Sequence, residues 1–305
     1  MGCLFGPVPS RRLALSLGVD LVPYKVCSFN CIYCEVGETN HLTVERREYL
    51  PIDQVKGELE EFFSSGTHAD HITFSGFGEP TLHSGLGELA RWIKGRTTTP
   101  VALLTNASLF WIPQVRREAA EVDVVLPSLD AVSEETFRKV NRPHPLLSAE
   151  KVVEGLVEFS REFTGKLWLE ILLVKGINDS EEELCRLAQV VERIAPHKIQ
   201  LNTVVRPPAV AGTSPLNHRE LQEIAAFLPG EVEVVGGATE HSSGGVEALN
   251  ETIVETVKRR PCTMEDLVKV TGHPAHEVKT AVKGLILSGR LRGREQGGEV
   301  FYSHL

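Results

Sequence analysis

The chain has 305 residues, 42% of them hydrophobic, and a net charge of −9, enough apolar content for one large domain or a large one plus a small one. No apolar run approaches the roughly 20 residues that cross a bilayer, and the negative charge argues against a non-specific nucleic-acid coat. Six cysteines clustered unevenly along the chain point to metal or redox chemistry rather than a disulfide scaffold.

The opening MGCLFGPVPSRRLALSLGVD contains a decoy. SRRLAL has the look of a twin-arginine export signal, but Asp20 interrupts the apolar run and no small-residue cleavage site follows. Gly6 stands where N-myristoylation requires Ser or Thr. A cytoplasmic location with no membrane attachment is expected.

SLGVDLV (16–22) reads as a first strand, followed by the loop YKVCSFNCIYCEVGE. Further runs rich in β-branched and large apolar residues are HITFSG (71–76), PVALLTN (100–106), VDVVLPSLD (122–130), KLWLEILLV (166–174) and KIQLNTVV (198–205); they read as buried strands. Amphipathic segments over 51–64, 84–94, 113–121, 133–140, 149–163, 180–194 and 217–228 predict helices between them, with caps at Asp179 or Ser180 and at Ser133. Repeated strand–helix–strand units require a parallel sheet, because each crossover returns the chain in the same direction. About six units are too few for a closed eight-fold barrel. The expected fold class is therefore α/β, an open, partial (β/α)6 TIM-like barrel.

In such folds chemistry sits at the C-terminal ends of the strands. The first strand is followed by Cys27, Cys31 and Cys34, and the second by Gly76, Phe77, Gly78 and Glu79 in FSGFGEPTLH. The third ends in Thr105 and Asn106, the fourth in Ser128 and Asp130, the fifth in Lys175 and Gly176, and the sixth in Asn202, Thr203 and Arg206. Three thiolates on one loop are soft ligands, suited to zinc or to an iron–sulfur cluster. A zinc site would need a distant fourth ligand such as His41; a 4Fe-4S cluster held by three cysteines leaves one iron open. Cys185, on an amphipathic helix, reads as a buried small residue. Cys3 and Cys262 read as inert, and Lys25 and Lys175 as surface amines.

The spacing C-x3-C-x2-C, with Tyr33 before the last cysteine and GFGEP about forty residues on, resembles the radical S-adenosylmethionine (SAM) superfamily over roughly residues 10–235. The resemblance implies that Cys27, Cys31 and Cys34 hold a 4Fe-4S cluster whose fourth iron is chelated by SAM. It further implies that Gly76, Phe77, Gly78 and Glu79 meet the SAM ammonium and that Tyr33 lies near the adenine. Thr105, Asn106, Ser128 and Asp130 become candidates for the ribose and the methionyl carboxylate. An electron donor such as flavodoxin or ferredoxin and an oxidoreductase-like hydrogen abstraction are implied as well. GPVPSRRLALSLGVDLVPYKVCSFNCIYCEVG and LVKGINDSEEEL are similar to radical SAM proteins related to the wyosine-forming tRNA enzymes (4-demethylwyosine synthase-like). Those carry extra N-terminal cysteines for a second cluster, whereas only Cys3 precedes the motif here. The substrate is left open among a tRNA base, a small molecule and a protein.

Three segments divide the chain: 1–235, a Gly/Ser-rich linker at 236–247 and a tail at 248–305. The tail carries nine Lys and Arg against seven Asp and Glu, leaving −11 for residues 1–247. Helices are expected over 248–259, 263–271 and 274–288, then a β-hairpin turning at Gly297 and Gly298; the pattern resembles a winged helix-turn-helix. As a nucleic-acid binder it would set helix 274–288 in a groove and Arg290, Arg292 and Arg294 on phosphates; as a docking or substrate-covering module it would contact protein or close the site. Two functions of different class follow: a radical SAM enzyme, which furnished strand ends favour, and an iron–sulfur redox-sensing regulator that binds DNA through the tail.

Overall fold

In the computed structural model, residues 2–10, 12–235 and 246–304 are described. Residues 236–245 of the expected linker and Arg11 of the SRRLAL run lie outside the described residues. Among the described residues no helix is long and apolar enough to cross a membrane.

The strands are β1 (Leu4–Ser10), β2 (Ala14–Asp20), β3 (Val26–Cys27), β4 (His41–Leu42), β5 (His71–Ser75), β6 (Val101–Thr105), β7 (Val124–Pro127), β8 (Lys166–Leu173), β9 (Lys198–Thr203) and β10 (Val232–Val234). Alternating with them are helices α1 (Ile52–Ser64), α2 (Leu86–Lys94), α3 (Pro113–Ala119), α4 (Glu134–Val140), α5 (Ala149–Glu162), α6 (Glu181–Ile194) and α7 (His218–Phe227). One eight-stranded sheet runs in the order β1-β2-β5-β6-β7-β8-β9-β10. Its strands are parallel from β2 to β10; only β1 is antiparallel, on β2. The six expected strands are β2, β5, β6, β7, β8 and β9. Two edge strands, β1 and β10, extend the sheet beyond the sequence expectation. Both are short or Pro- and Gly-interrupted, which mutes the apolar run that marks a central strand.

Fully buried runs such as Val124–Pro127 are what a parallel sheet covered on both faces demands. Helix α1 buries Val55 and Leu59 at i, i+4, and α5 buries Val152, Val153, Leu156, Val157 and Phe159, building the outer core. Inside the curve of the sheet, Leu13, Ala102, Val124 and Leu126 close the floor. A separate cluster of Phe29, Ile32, Phe137, Val140, Leu147 and Val174 seats the cysteine loop on α4 and α5.

Helix α6 is capped by Ser180, whose side chain accepts from the Glu183 backbone. Its buried stripe runs Glu183, Leu184, Leu187, Val191 and Ile194. Cys185 falls off that stripe and is exposed, contrary to the expectation of a buried residue. The stripe takes up Glu183 instead, because its Oε1 accepts from the Val132 and Ser133 backbone N–H groups at 2.6 and 3.0 Å. A buried carboxylate is tolerated where such donors meet it.

Beyond the undescribed segment lie α8 (Val246–Arg259), β11 (Cys262–Thr263), α9 (Met264–Thr271), α10 (Ala275–Leu287), β12 (Leu291–Gln296) and β13 (Glu299–His304). The three strands pair in the order β11-β13-β12, antiparallel throughout. Three helices around a core of Leu249, Ile253, Val257, Leu267, Val278 and Val282 complete this unit.

Candidate functional site

The cysteine loop is a closed structure held at several points. Val26 and Cys27 pair in parallel with His41 and Leu42, so the loop returns to its own start. Inside it, Cys34 N–H donates to the Cys31 carbonyl at 3.2 Å and Gly37 N–H to that of Cys34 at 3.1 Å. Ile32 N–H reaches the Val140 carbonyl at the end of α4 at 3.0 Å.

The loop is tied to the segment after β5 by two backbone bonds, Lys25 N–H to Phe77 O at 3.0 Å and Glu79 N–H to Val26 O at 3.1 Å. Two glycines make that approach possible. A Cβ on Gly78 would lie 1.9 Å from the Val26 carbonyl oxygen, and one on Gly76, at φ +108°, would lie 1.6 Å from Asp20 Oδ1; no side chain fits either gap. Asp20 Oδ1 instead accepts from Phe77 N–H at 3.1 Å.

Each cysteine sulfur faces a nitrogen donor from a different element. Asn106 Nδ2 lies 3.6 Å from Cys27 Sγ, Asn141 Nδ2 lies 3.5 Å from Cys31 Sγ and Lys25 Nζ lies 3.1 Å from Cys34 Sγ. Lys25 is 3% exposed, so it is not the surface amine expected from sequence. At φ +58° its backbone follows the loop, and its ammonium is buried against a sulfur. A buried ammonium requires such a partner.

Behind the sulfurs stand two buried carboxylates, each bonded to several donors of the chain itself. Glu79 Oε1 accepts from Thr81 N–H (3.0 Å), Thr81 Oγ1 (2.6 Å) and Thr105 Oγ1 (2.6 Å), and Oε2 from Asn106 N–H (2.8 Å). Among the described residues three donors crowd Oε1 and one meets Oε2, which leaves Oε2 an acceptor position open. Asp130 Oδ2 accepts from the Tyr33 hydroxyl and from Asn141 Nδ2 at 2.8 Å, and its Oδ1 from Leu172 N–H at 3.0 Å. Burial raises both carboxyls above their ordinary range, against the opposing pull of these hydrogen bonds. Thr105 and Asn106 thus tie Glu79 to Cys27, while Asn141, which sequence reading did not single out, ties the Asp130–Tyr33 pair to Cys31.

Ser128 is placed differently. It lines a chamber of about 310 Å³ together with Tyr33, Cys34, Gly76, Thr73, Glu170 and Asn202, at the small end of the range for ligand sites. On its wall Arg12 pairs with Glu170, and Asn202 Nδ2 donates to Glu170 Oε1 at 3.3 Å. Arg12 and Glu170 lay outside the strand-end positions considered from sequence. Glu170 is at a mid-strand position of β8 that faces the inside of the curve, and only the alternation of that strand hints at it.

Burial pushes the Cys27 thiol up to about 12, and the Glu79 charge adds to that; burial and Asp130 push Cys31 the same way. Thiolates there need positive charge beside them, which iron supplies. Among the described residues no three His, Cys, Asp or Glu side chains are grouped as ligands of one ion. His41 is exposed on β4. Three separately donor-matched sulfurs on one loop fit a multi-iron cluster, in which each thiolate takes its own iron and N–H groups contact sulfur. The remaining cysteines stand apart. Cys3 is in the main core with its thiol raised by burial and Glu58, and Cys262 is in the tail core, pushed up by burial to about 11.

Lys175 is exposed and paired with Glu220 at 2.7 Å, as a surface amine should be. Arg206, at the end of β9, is buried between the cysteine loop and the tail. It bonds Glu35 at 3.0 Å, Asp266 at 3.5 Å and the Pro261 carbonyl at 3.1 Å.

Residues 21–188 match the family model described as the radical SAM superfamily. The chain is 32% identical over 317 residues to UPF0026 protein MJ1312 of Methanocaldococcus jannaschii, covering 99% of this chain and 96% of that one. It is 34% identical over 304 residues to a Brachyspira hyodysenteriae protein named GTPase Obg, covering 98% of this chain but spanning only 45% of that protein's length. Among solved structures it resembles a radical SAM methyltransferase from Sphaerobacter thermophilus, with a TM-score of 0.52 and 18% identity over 73% of this chain and 67% of that one, a likeness of fold.

Proposed function

The chain belongs to the radical SAM superfamily, and we propose that it is an enzyme abstracting hydrogen from a substrate held in the chamber beside Cys34, Gly76 and Ser128. The superfamily's cofactors are a 4Fe-4S cluster and SAM. Cys27, Cys31 and Cys34 are the residues that would hold the cluster. When bound and reduced, the cluster supplies the electron that cleaves SAM to methionine and a 5′-deoxyadenosyl radical.

The observation that carries this reading is the set of three half-buried sulfurs, each matched by a nitrogen donor and held on a loop that is bonded to the GFGEP segment. The roles of the chain's own groups follow from their surroundings. Glu79 is bonded to Thr81, Thr105 and Asn106 and so fixes the ends of β5 and β6, while its Oε2, which takes a single donor, joins the backbone carbonyls around Gly76–Gly78 in meeting the SAM ammonium. Asp130 holds Tyr33 and Asn141 and positions the adenine-side ring rather than meeting the ribose. Ser128, on the chamber wall, is free of that network and is the group assigned to the ligand.

We read the tail as a winged helix, and the resemblance of the segments around the motif to the wyosine-forming enzymes supports trying a tRNA base with pyruvate first. The decisive experiment is anaerobic. The protein is reconstituted with iron and sulfide, reduced, given SAM and assayed for 5′-deoxyadenosine, with Cys31→Ala as control. Formation of 5′-deoxyadenosine that is lost in the control is the expected result. Failure of SAM to bind the loaded protein would overturn the enzyme reading in favour of a redox-sensing regulator.

A further inference from the structure

A second, larger cavity of about 830 Å³ lies between the strand-end face and the tail. Tyr24, Glu35, Val36, Gly37, Phe77 and Pro207 form one wall. The other is built from the end of α8 and the hairpin, including Lys258, Arg260, Arg292 and Arg294. In a chain of net charge −9, this lining carries four Lys and Arg against a single carboxylate, Glu35, which is bonded to Arg206. Arg292 and Arg294 stand two apart on β12 and so project from one face. Arg292 Nε reaches only a hydroxyl, Ser303 Oγ at 3.3 Å, and among the described residues no carboxylate pairs with Arg260, Arg292 or Arg294. Converging guanidinium groups without counter-charge suit a phosphate, whose several oxygens accept bidentate N–H donors; one carboxylate would leave most of that charge unmatched.

The cleft lies directly beside the chamber, because Glu35, Val36 and Arg260 line both. We propose that the cleft between the hairpin and the strand ends is the phosphate-binding subsite of the substrate, with the reacting portion entering the chamber past Arg260. The substrate is thus a phosphate-bearing molecule, a nucleotide or a nucleic-acid strand. This assigns the tail's contact surface to Arg292 and Arg294 on β12 facing inward. The cations of α10, Lys279 and Lys283, do not line the cleft and are exposed elsewhere. The inference rests on the chamber being the reaction site.

The test uses the reconstituted full chain and measures fluorescence anisotropy of a labelled RNA stem-loop and of labelled ATP, each competed with inorganic pyrophosphate. Titrations run from about 50 to 200 mM salt, where phosphate contacts make binding strongly salt-dependent. The expected result is binding of at least one probe, displacement by pyrophosphate, at least tenfold weakening in Arg292→Glu/Arg294→Glu with a shallower salt slope, and no change in Lys279→Glu/Lys283→Glu. Binding of ATP would identify a small-molecule substrate, and binding of the stem-loop alone a nucleic-acid strand; either supports the subsite. No binding of any phosphate probe, equal displacement by polyglutamate, or loss only in the α10 variant would overturn it. SAM binding, measured on the same samples, is expected to survive Arg292→Glu/Arg294→Glu. If wild-type protein fails to bind SAM, the enzyme reading fails while the phosphate probes still report on the cleft. The milder Arg292→Gln/Arg294→Gln pair repeats the test without charge reversal.

Discussion

The cysteine rim of the chamber and the tail side of the neighbouring cleft are built on opposite plans. On the cysteine side, between β2 and β7, Glu79, Asp130, Asn141, Lys25 and Tyr33 are all bonded to other groups of the chain, and glycines let the backbone segments touch. On the tail side, β12 presents arginines with no carboxylate opposite them among the described residues. The difference teaches how one site serves two purposes. A preorganised rim holds a cofactor of fixed shape at low reorganisation cost, whereas charge left unsatisfied is what a ligand completes.

If that contrast is right, substitutions on the first rim cost stability and those on the second do not. The largest loss is expected for Gly78→Ala, whose Cβ would collide with the Val26 carbonyl at 1.9 Å. Overpacking against backbone should destabilise by about 3 kcal/mol, read from denaturant midpoints; a wild-type midpoint would break the comparison. Next comes Asn141→Ala, which removes donors to both Asp130 and Cys31. Leaving a buried carboxylate short of a partner costs about 2 kcal/mol. In loaded protein the cluster potential should also fall, because an N–H to sulfur favours the reduced, more negative state. A potential that rises or stays fixed in voltammetry would detach Asn141 from the cofactor.

A smaller effect concerns His83, which follows the GFGEP segment. Its Nδ1 accepts from Gly85 N–H at 3.0 Å while Nε2 donates to the Leu50 carbonyl at 2.9 Å, an arrangement only the neutral ring can make. Burial lowers its pKa from 6.5, with Arg46 adding to the shift and Leu50, Glu48 and Glu118 opposing it. Between 6.5 and that lowered value the unfolded chain binds the proton and the folded one does not. The stabilisation is therefore complete above 6.5 and is lost as pH falls through the folded pKa. His83→Gln should flatten the stability profile below pH 6.5, and an unchanged slope would remove the ring from the account. The smallest effect is expected on the other rim, where Arg294→Gln should stay within about 0.5 kcal/mol of wild type. A larger loss would mean that this arginine is already occupied by the fold.

The six central strands, the helices between them and the cysteine triplet were legible because each is local: apolar runs, caps and spacing lie within a few residues of one another. What escaped is what the closed chain brings together. Lys25 carries the ordinary signature of a surface lysine, and its partner sulfur becomes visible only when the loop folds back on itself. Asn141 is 110 residues from Cys31 in sequence, and no local pattern links them. Glu183 displaced Cys185 from the buried stripe of α6 because its donors belong to the segment before α4. Gly76 and Gly78 stand out in the sequence as a motif, but only the fold shows that they also make room for Asp20 and Val26.

Arg206 has one further consequence. Its guanidinium spans Glu35, the residue after Cys34, and Asp266 and Pro261 of the tail, and parting a buried cation from its partners costs about 3 to 5 kcal/mol. Lifting the tail therefore strips Arg206 of Asp266 and Pro261 and leaves it Glu35 alone of these three partners, so the seat of the tail on the strand ends depends on one buried guanidinium next to the cysteine loop.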